Sequence, residues 1–196
     1  VTSFRGEEIN MTTYIAMLRG INVGGKNIIK MADLRRVFEE MKFSEIQTYI
    51  QSGNVLFKSG EEEELLCKKI EQGIEEAFGF FVSVILRTAE DLERIISNCP
   101  FSPEKILETE SSSEGESLYV SLMKNAPTQE KIECLKVYSS GSEEYRIEGR
   151  EVFLLFRNSI RDSKLANNLH KLDVPATVRN WKTINKLYAL ARAIED

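Results

Sequence analysis

Arginines, amides and glycines gather at three points of the chain, and together they have the chemistry to hold an anion. Arg19 and Asn22 lie in the stretch Leu18-Arg19-Gly20-Ile21-Asn22-Val23-Gly24-Gly25-Lys26-Asn27. Gly24 and Gly25 admit the left-handed backbone that turns successive N–H groups inward, and Lys26 adds charge. The spacing is not G-x-x-x-x-G-K-[ST], which excludes a Walker loop. Gln51 and Asn54 flank Ser52-Gly53 in a second stretch, Tyr49-Ile50-Gln51-Ser52-Gly53-Asn54-Val55. Arg179 stands just before Asn180 and Trp181 at the start of a predicted helix, where an anion gains from the helix dipole as well as from the guanidinium. If the three points meet in space, they form a recognition surface for a phosphate, a carboxylate or a base edge. The same residue types also have a purely structural use, since Asn and Gln side chains close turns on backbone groups and an arginine pairs with carboxylates.

Other chemistries find little support. His170 is the single histidine, and its neighbours Leu169, Lys171 and Leu172 are those of a helix end, a charge-favourable position for it. With no second histidine and no cysteine cluster, no metal site of zinc type is expected. Ser-His-Asp or Cys-His catalysis would have to use His170, and nothing near it singles out a nucleophile. Cys67, Cys99 and Cys134 lie more than thirty residues apart without C-x-x-C spacing, so they are expected to be reduced, buried, structural thiols of a cytoplasmic protein. Glu61 to Glu64 suit the first turn of a helix, complementing its dipole. No cofactor is implied.

The net charge of −5 argues against a surface that binds nucleic acid throughout. Charge is unevenly placed, however: residues 11–58 carry seven basic against four acidic side chains, residues 59–116 five against fifteen, and residues 157–192 eight against two. An anion-attracting patch is therefore compatible with the acidic total. No apolar run approaches the roughly 20 residues of a membrane helix, and residues 1–10 lack the order of a signal peptide. Those ten residues are polar and aperiodic and are expected to be a start-site extension or an appended remnant.

These groups must be positioned by the elements around them. Periodicity gives strand Tyr14 to Leu18, helix Met31 to Met41, a hairpin of Ile46 to Gln51 with Asn54 to Phe57, a helix from about Glu61 to Phe78, and strand Phe81 to Leu86. That order is βαββαβ, the ferredoxin-like unit. A short helix begins at Thr88, with Asp91 three residues on as a capping-box partner. Ser102 to Glu116, with Pro103, Ser111 to Ser113 and five glutamates, has the composition of an exposed acidic, Ser-rich linker. The order then returns: strand Leu118 to Met123, helix Thr128 to Val137, strands Glu144 to Ile147 and Val152 to Phe156, helix Ser163 to His170, and strand Ala176 to Val178. A final helix runs from Trp181 to Ile194. Val84-Ile85-Leu86-Arg87-Thr88 and Ala176-Thr177-Val178-Arg179-Asn180 each lead into a helix at the matching place of each half. The expected fold is α+β, two tandem ferredoxin-like (βαββαβ) units each followed by a helix, over residues 11–101 and 117–194 with 102–116 as linker.

The chain resembles a family of uncharacterised bacterial proteins, a domain of unknown function, that open with a strand followed by LRGINVGG and continue with YIQSGNV. Ser163-Lys164-Leu165 and Thr177-Val178-Arg179-Asn180-Trp181-Lys182-Thr183 extend the likeness, the latter close to the family's TTRNWRT-like stretch, with Val178 where the family more often has a second threonine. The resemblance spans about Met11 to Ala191. It implies an α+β fold and a cytoplasmic location, and it brings no established activity and no catalytic residue.

The leading expectation is a binding module for a small anionic or nucleotide-like ligand, or a short single-stranded nucleic acid, at Arg19, Asn22, Gly24, Gly25, Lys26, Gln51, Asn54 and Arg179. The nucleic-acid branch is the weaker, because no RNP-like K/R-G-F/Y-G/A-F pattern is present. One rival is a metal-independent enzyme acting on a small phosphorylated or carboxylated substrate by positioning and electrostatics. The other is a structural or protein-interaction protein whose motifs hold two half-domains together. That last reading requires the arginines and amides to be buried and bonded to one another. The sequence names no protein partner.

Overall fold

Alternation of Tyr14, Ala16 and Leu18 with Ile15 and Met17 makes the first strand apolar on both faces, and every residue from Thr13 to Leu18 is buried. Such a strand belongs in the middle of a covered sheet. The computed structural model describes residues 11–113, 115–138 and 143–195, so the expected extension at residues 1–10 lies outside the described residues. The first half contains β1 (Thr12–Leu18), α1 (Met31–Glu40), β2 (Ser44–Tyr49), β3 (Asn54–Ser59), α2 (Glu63–Phe78), β4 (Val84–Thr88) and α3 (Ala89–Ser97). After α4 (Pro103–Ser111), the second half contains β5 (Leu118–Met123), α5 (Gln129–Lys136), β6 (Glu143–Glu148), β7 (Glu151–Phe156), α6 (Lys164–Asn167), β8 (Ala176–Asn180) and α7 (Trp181–Glu195).

The two sheets have the same order, β2-β3-β1-β4 and β6-β7-β5-β8, and all described strand neighbours are antiparallel. Both halves are therefore ferredoxin-like units followed by a helix, as expected. Three apolar layers result. One face of the first sheet packs on α1 and α2 through Leu34, Phe38, Leu66, Ile70 and Ile74. One face of the second packs on α5 and α6 through Leu135 and Leu165. The remaining face of each sheet meets a shared middle layer in which Ile15, Met17, Leu56 and Ile85 join Leu118, Val120, Leu122, Phe153 and Leu155, with α3 and α7 packed in the same layer. No helix among the described residues is long and apolar enough to cross a membrane.

Local signals act as anticipated at several ends. Thr88 and Asp91 form the full capping box of α3, and Asn180 Oδ1 accepts from the Thr183 N–H at 2.8 Å. Two stretches differ. The segment with linker composition holds α4, because Ser102 caps it, Pro103 occupies the first turn, and Thr109 is buried. The helix expected over Ser163 to His170 is broken into the single α-turn α6 and a 3₁₀ turn (Leu169–Leu172), and another 3₁₀ turn (Ile160–Asp162) precedes them. The cysteines also diverge from expectation: Cys67 is buried, Cys99 is half-buried, and Cys134 on α5 is exposed. Burial raises the Cys67 and Cys99 thiols above their usual range. Brief alkylation of the native protein is expected to modify Cys134 first, as peptide mapping by mass spectrometry would show.

Gly53 closes the β2–β3 turn at φ +77°, and a Cβ there would lie 2.6 Å from Ile21 Cδ1 and 3.0 Å from Leu18 Cβ. Backbone strain and overpacking act together at this point. Gly53→Ala is expected to cost about 1–3 kcal/mol, measurable as a lowered urea midpoint. An unchanged midpoint would refute the close approach.

Candidate functional site

Arg179 is the centre of the site. It lies on β8, on the face turned to the middle layer, and is buried. Its guanidinium reaches out of its own half into the other: Nε donates to Asn54 Oδ1 at 2.7 Å, and Nη2 donates to the Leu18 and Ser52 carbonyls at 3.1 and 3.0 Å. Nη1 donates to Thr177 Oγ1 at 2.7 Å and the Val178 carbonyl at 2.9 Å. All five N–H groups are thus used within the protein. Asn54 in turn donates through Nδ2 to the Tyr49 carbonyl and Ser52 Oγ, both at 3.1 Å, which fixes the hairpin turn.

Arg87 repeats this arrangement in the opposite direction. From β4 it donates through Nε to Glu151 Oε1 at 3.0 Å, through Nη2 to the Met123 carbonyl at 2.8 Å, and through Nη1 to the Leu86 carbonyl at 2.7 Å. The strand registers make the two arginines counterparts, because Leu18 pairs with Val84 and Met123 with Ala176. Likewise Met17 pairs with Asn54 and Leu122 with Glu151. The essential difference is charge. Arg87 meets a carboxylate at 2.9 Å, whereas Arg179 meets an amide and has no carboxylate partner among the described residues.

Burial pushes the Arg87 guanidinium down, and Glu151 beside it pulls it partly back. For Arg179 burial acts without that relief and lowers it to about 10. Because that value lies below the ordinary 12.5, the buried cation opposes folding at every pH below about 10. The opposition fades only as pH rises from there toward 12.5, and at neutral pH it is on the order of 3 kcal/mol.

Beside Arg179 a cleft of about 700 Å³ opens between the halves, walled by Arg19, Gly20 and Val23 on one side and by α6, the following 3₁₀ turn and β8 on the other. Arg19 is exposed on this wall and makes no ion pair among the described residues. His170 also lines it, with Nδ1 3.0 Å from the Asn167 carbonyl. The 3₁₀ turn has brought the histidine expected at a helix end to the cleft. Asp173, on the rim, is paired with Lys131 at 3.1 Å.

The expected site residues thus divide. Arg19 and Arg179 come together at the cleft, with Asn54 behind Arg179. Asn22 is spent on structure: its Nδ2 donates to the Ile29 carbonyl at 2.9 Å and the Gln51 carbonyl at 2.8 Å, and its Oδ1 accepts from the Ile29 N–H at 2.9 Å. The glycine loop is a small hairpin, with the Lys26 N–H donating to the Val23 carbonyl at 3.1 Å. Gly24, Gly25, Lys26 and Gln51 are exposed and do not wall the cleft. Sequence reasoning missed Arg87, Glu151 and the place of His170. The parallel between residues 84–88 and 176–180 was the available signal for Arg87, since it sets two arginines at one position of a repeated strand.

Residues 11–153 match the model of the family described as "Protein of unknown function (DUF1697)". The chain belongs to this family. The DUF1697 match ends within β7, so the cleft wall formed by α6 and β8 lies beyond it. Among solved structures, the chain is similar to the conserved bacterial protein SP0830 from Streptococcus pneumoniae, with 26% identity and a TM-score of 0.70, covering 92% of this chain and 99% of that one. No curated protein matches it.

The two arginines make different demands on stability. Arg87→Met leaves the buried Glu151 carboxylate without its cation and is expected to cost about 3–5 kcal/mol. Arg179→Met leaves only neutral acceptors and removes a desolvated charge, so its cost is expected to be smaller by at least about 1 kcal/mol. Urea denaturation of both variants checks the order, and equal or reversed costs would contradict the charge asymmetry.

Proposed function

We propose that this DUF1697 protein is a cytoplasmic binding module for a small anionic ligand, held in the cleft between its halves with Arg19 as the contact. The observation that carries the reading is the buried, carboxylate-free Arg179 behind a cleft wall on which Arg19 is also unpaired. Two cations without counter-charge, at the edge of low-dielectric protein, attract an anion more strongly than the same charges in water. The two arginines have separate parts in this reading. Arg179, with every donor used, ties the halves together and supplies field; Arg19 supplies free donors.

The five internal bonds of Arg179 favour a second reading, in which the arginines and amides serve only to join the halves. Exposed, unpaired Arg19 is what the joining role leaves unexplained. A metal-independent enzyme would need a general base, and His170 is the cleft residue suited to that work. A short single-stranded nucleic acid would need a platform of stacking aromatics, and the cleft walls carry no Phe, Tyr or Trp.

A thermal-shift screen against nucleotides, sugar phosphates, carboxylates, and short RNA and DNA tests the reading. A ligand at about 100 times its dissociation constant adds about 2.7 kcal/mol, and that gain is expected to vanish in Arg19→Ala, whose own melting temperature stays near that of the parent. Stabilisation that persists unchanged in Arg19→Ala would place binding elsewhere.

A further inference from the structure

The repeat makes one half a control for the other. Strand register places Lys124 where Arg19 stands, one residue past the end of the central strand. The backbone agrees: the Arg19 N–H donates to the Ser83 carbonyl at 2.9 Å and the Lys124 N–H to the Pro175 carbonyl at 2.8 Å. Each cation overlooks a cavity bounded by the other half, and the cavity at Lys124 includes Glu63, Glu64, Cys67 and Arg150.

At Lys124 the protein supplies its own counter-charges. Glu71, on α2, holds Lys124 Nζ between its two oxygens at 3.3 and 3.4 Å and accepts the Val84 N–H at 3.0 Å. Glu63 pairs with Arg150 at 2.6 Å, and Glu151 with Arg87. At Arg19 no matching partner stands among the described residues. The place of α2 is taken by α6 and the 3₁₀ turn after it, and Lys164-Leu165-Ala166-Asn167 and Leu169-His170-Lys171-Leu172 contain no carboxylate. The place of Glu151 is taken by Asn54.

We propose that the ligand of this cleft is a small organic monocarboxylate, its carboxylate set against Arg19 as Glu71 is set against Lys124. The inference rests on the anion-binding reading above and narrows it. Two observations favour a carboxylate over a phosphate. The donors of Arg179 are all used, so the fork of Arg19 is the main free donor set; one fork engages both oxygens of a carboxylate but leaves further oxygens of a phosphate without donors. Gly24, Gly25 and Lys26, whose N–H groups would suit a phosphate, do not wall the cleft. The cleft is also larger than a carboxylate needs, and Val23, Leu169, Val174 and Pro175 give it apolar wall for the body of the acid.

His170 is the only histidine, so its imidazole gives one resolved NMR signal from inside the cleft. The test titrates the full chain at fixed pH with butyrate, benzoate, N-acetylglycine and inorganic phosphate, with Arg19→Ala in parallel. At least one carboxylate is expected to shift the imidazole signal saturably, with affinity at least tenfold above that of phosphate and at least tenfold reduced in Arg19→Ala. Phosphate binding as tightly as every carboxylate, or more so, and lost in Arg19→Ala overturns the carboxylate assignment and leaves the anion reading standing. No Arg19-dependent response to any of the four overturns both.

Discussion

Two buried arginines cross in opposite directions between the halves, and much of the polar structure at the junction depends on them. Each leaves the last strand of its own sheet and donates to a carbonyl at the end of the other sheet's central strand: Arg87 to Met123 and Arg179 to Leu18. Each also meets the first residue after the other half's hairpin turn, Glu151 or Asn54. Those acceptors lie where strands end and ladders stop, so they would otherwise be buried without partners, at a cost of about 1–3 kcal/mol for each group. The apolar middle layer brings the sheets together without direction; the arginines set which strand end faces which.

The same constraint explains the shape and charge of the cleft. In the first half a helix of four turns, α2, lies beside the final strand and carries the carboxylates that pair with the second half's cations. In the second half the corresponding stretch is one α-turn between two 3₁₀ turns. Shortening the helix removes bulk and negative charge together. Arg19 and Arg179 then face open space, and the hairpin residue that could have neutralised Arg179 is an amide. The amide has a local reason, because Asn54 Nδ2 donates to the Tyr49 carbonyl and a carboxylate there would meet that oxygen without a proton.

Most of the fold was legible because it is written in local patterns. The alternation of β1, the heptad-like face of α2 and the Thr88–Asp91 capping box each specify their element within a few residues, and their repetition revealed two halves. The helix read over residues 163–170 shows the limit: Leu165 and Leu169 carry a helical spacing, while Asn167-Asn168 is a weak helical pair and the turn closes there instead. Helix α4 was hidden in the opposite way, its Ser102-Pro103 start outweighed by acidic, serine-rich composition. In the site, Arg19 and Arg179 were legible by type. That Arg179 would be enclosed and Asn22 spent on its own loop was not, because both depend on partners far away in the chain, as the 125-residue separation of Arg179 from Asn54 shows. His170 was misplaced because its position follows from the broken helix.

The linkage of the two halves into one polypeptide has a consequence for what the junction can become. Two separate copies of one half, meeting across a twofold axis, would carry identical contacts on both sides, and every substitution would appear twice. Losing Glu151 would then uncover both arginines at once, and shortening α2 would open both cavities. In a single chain each side changes alone. Here both arginines join the halves but only one keeps a carboxylate, which leaves the other side free to be open and positively charged.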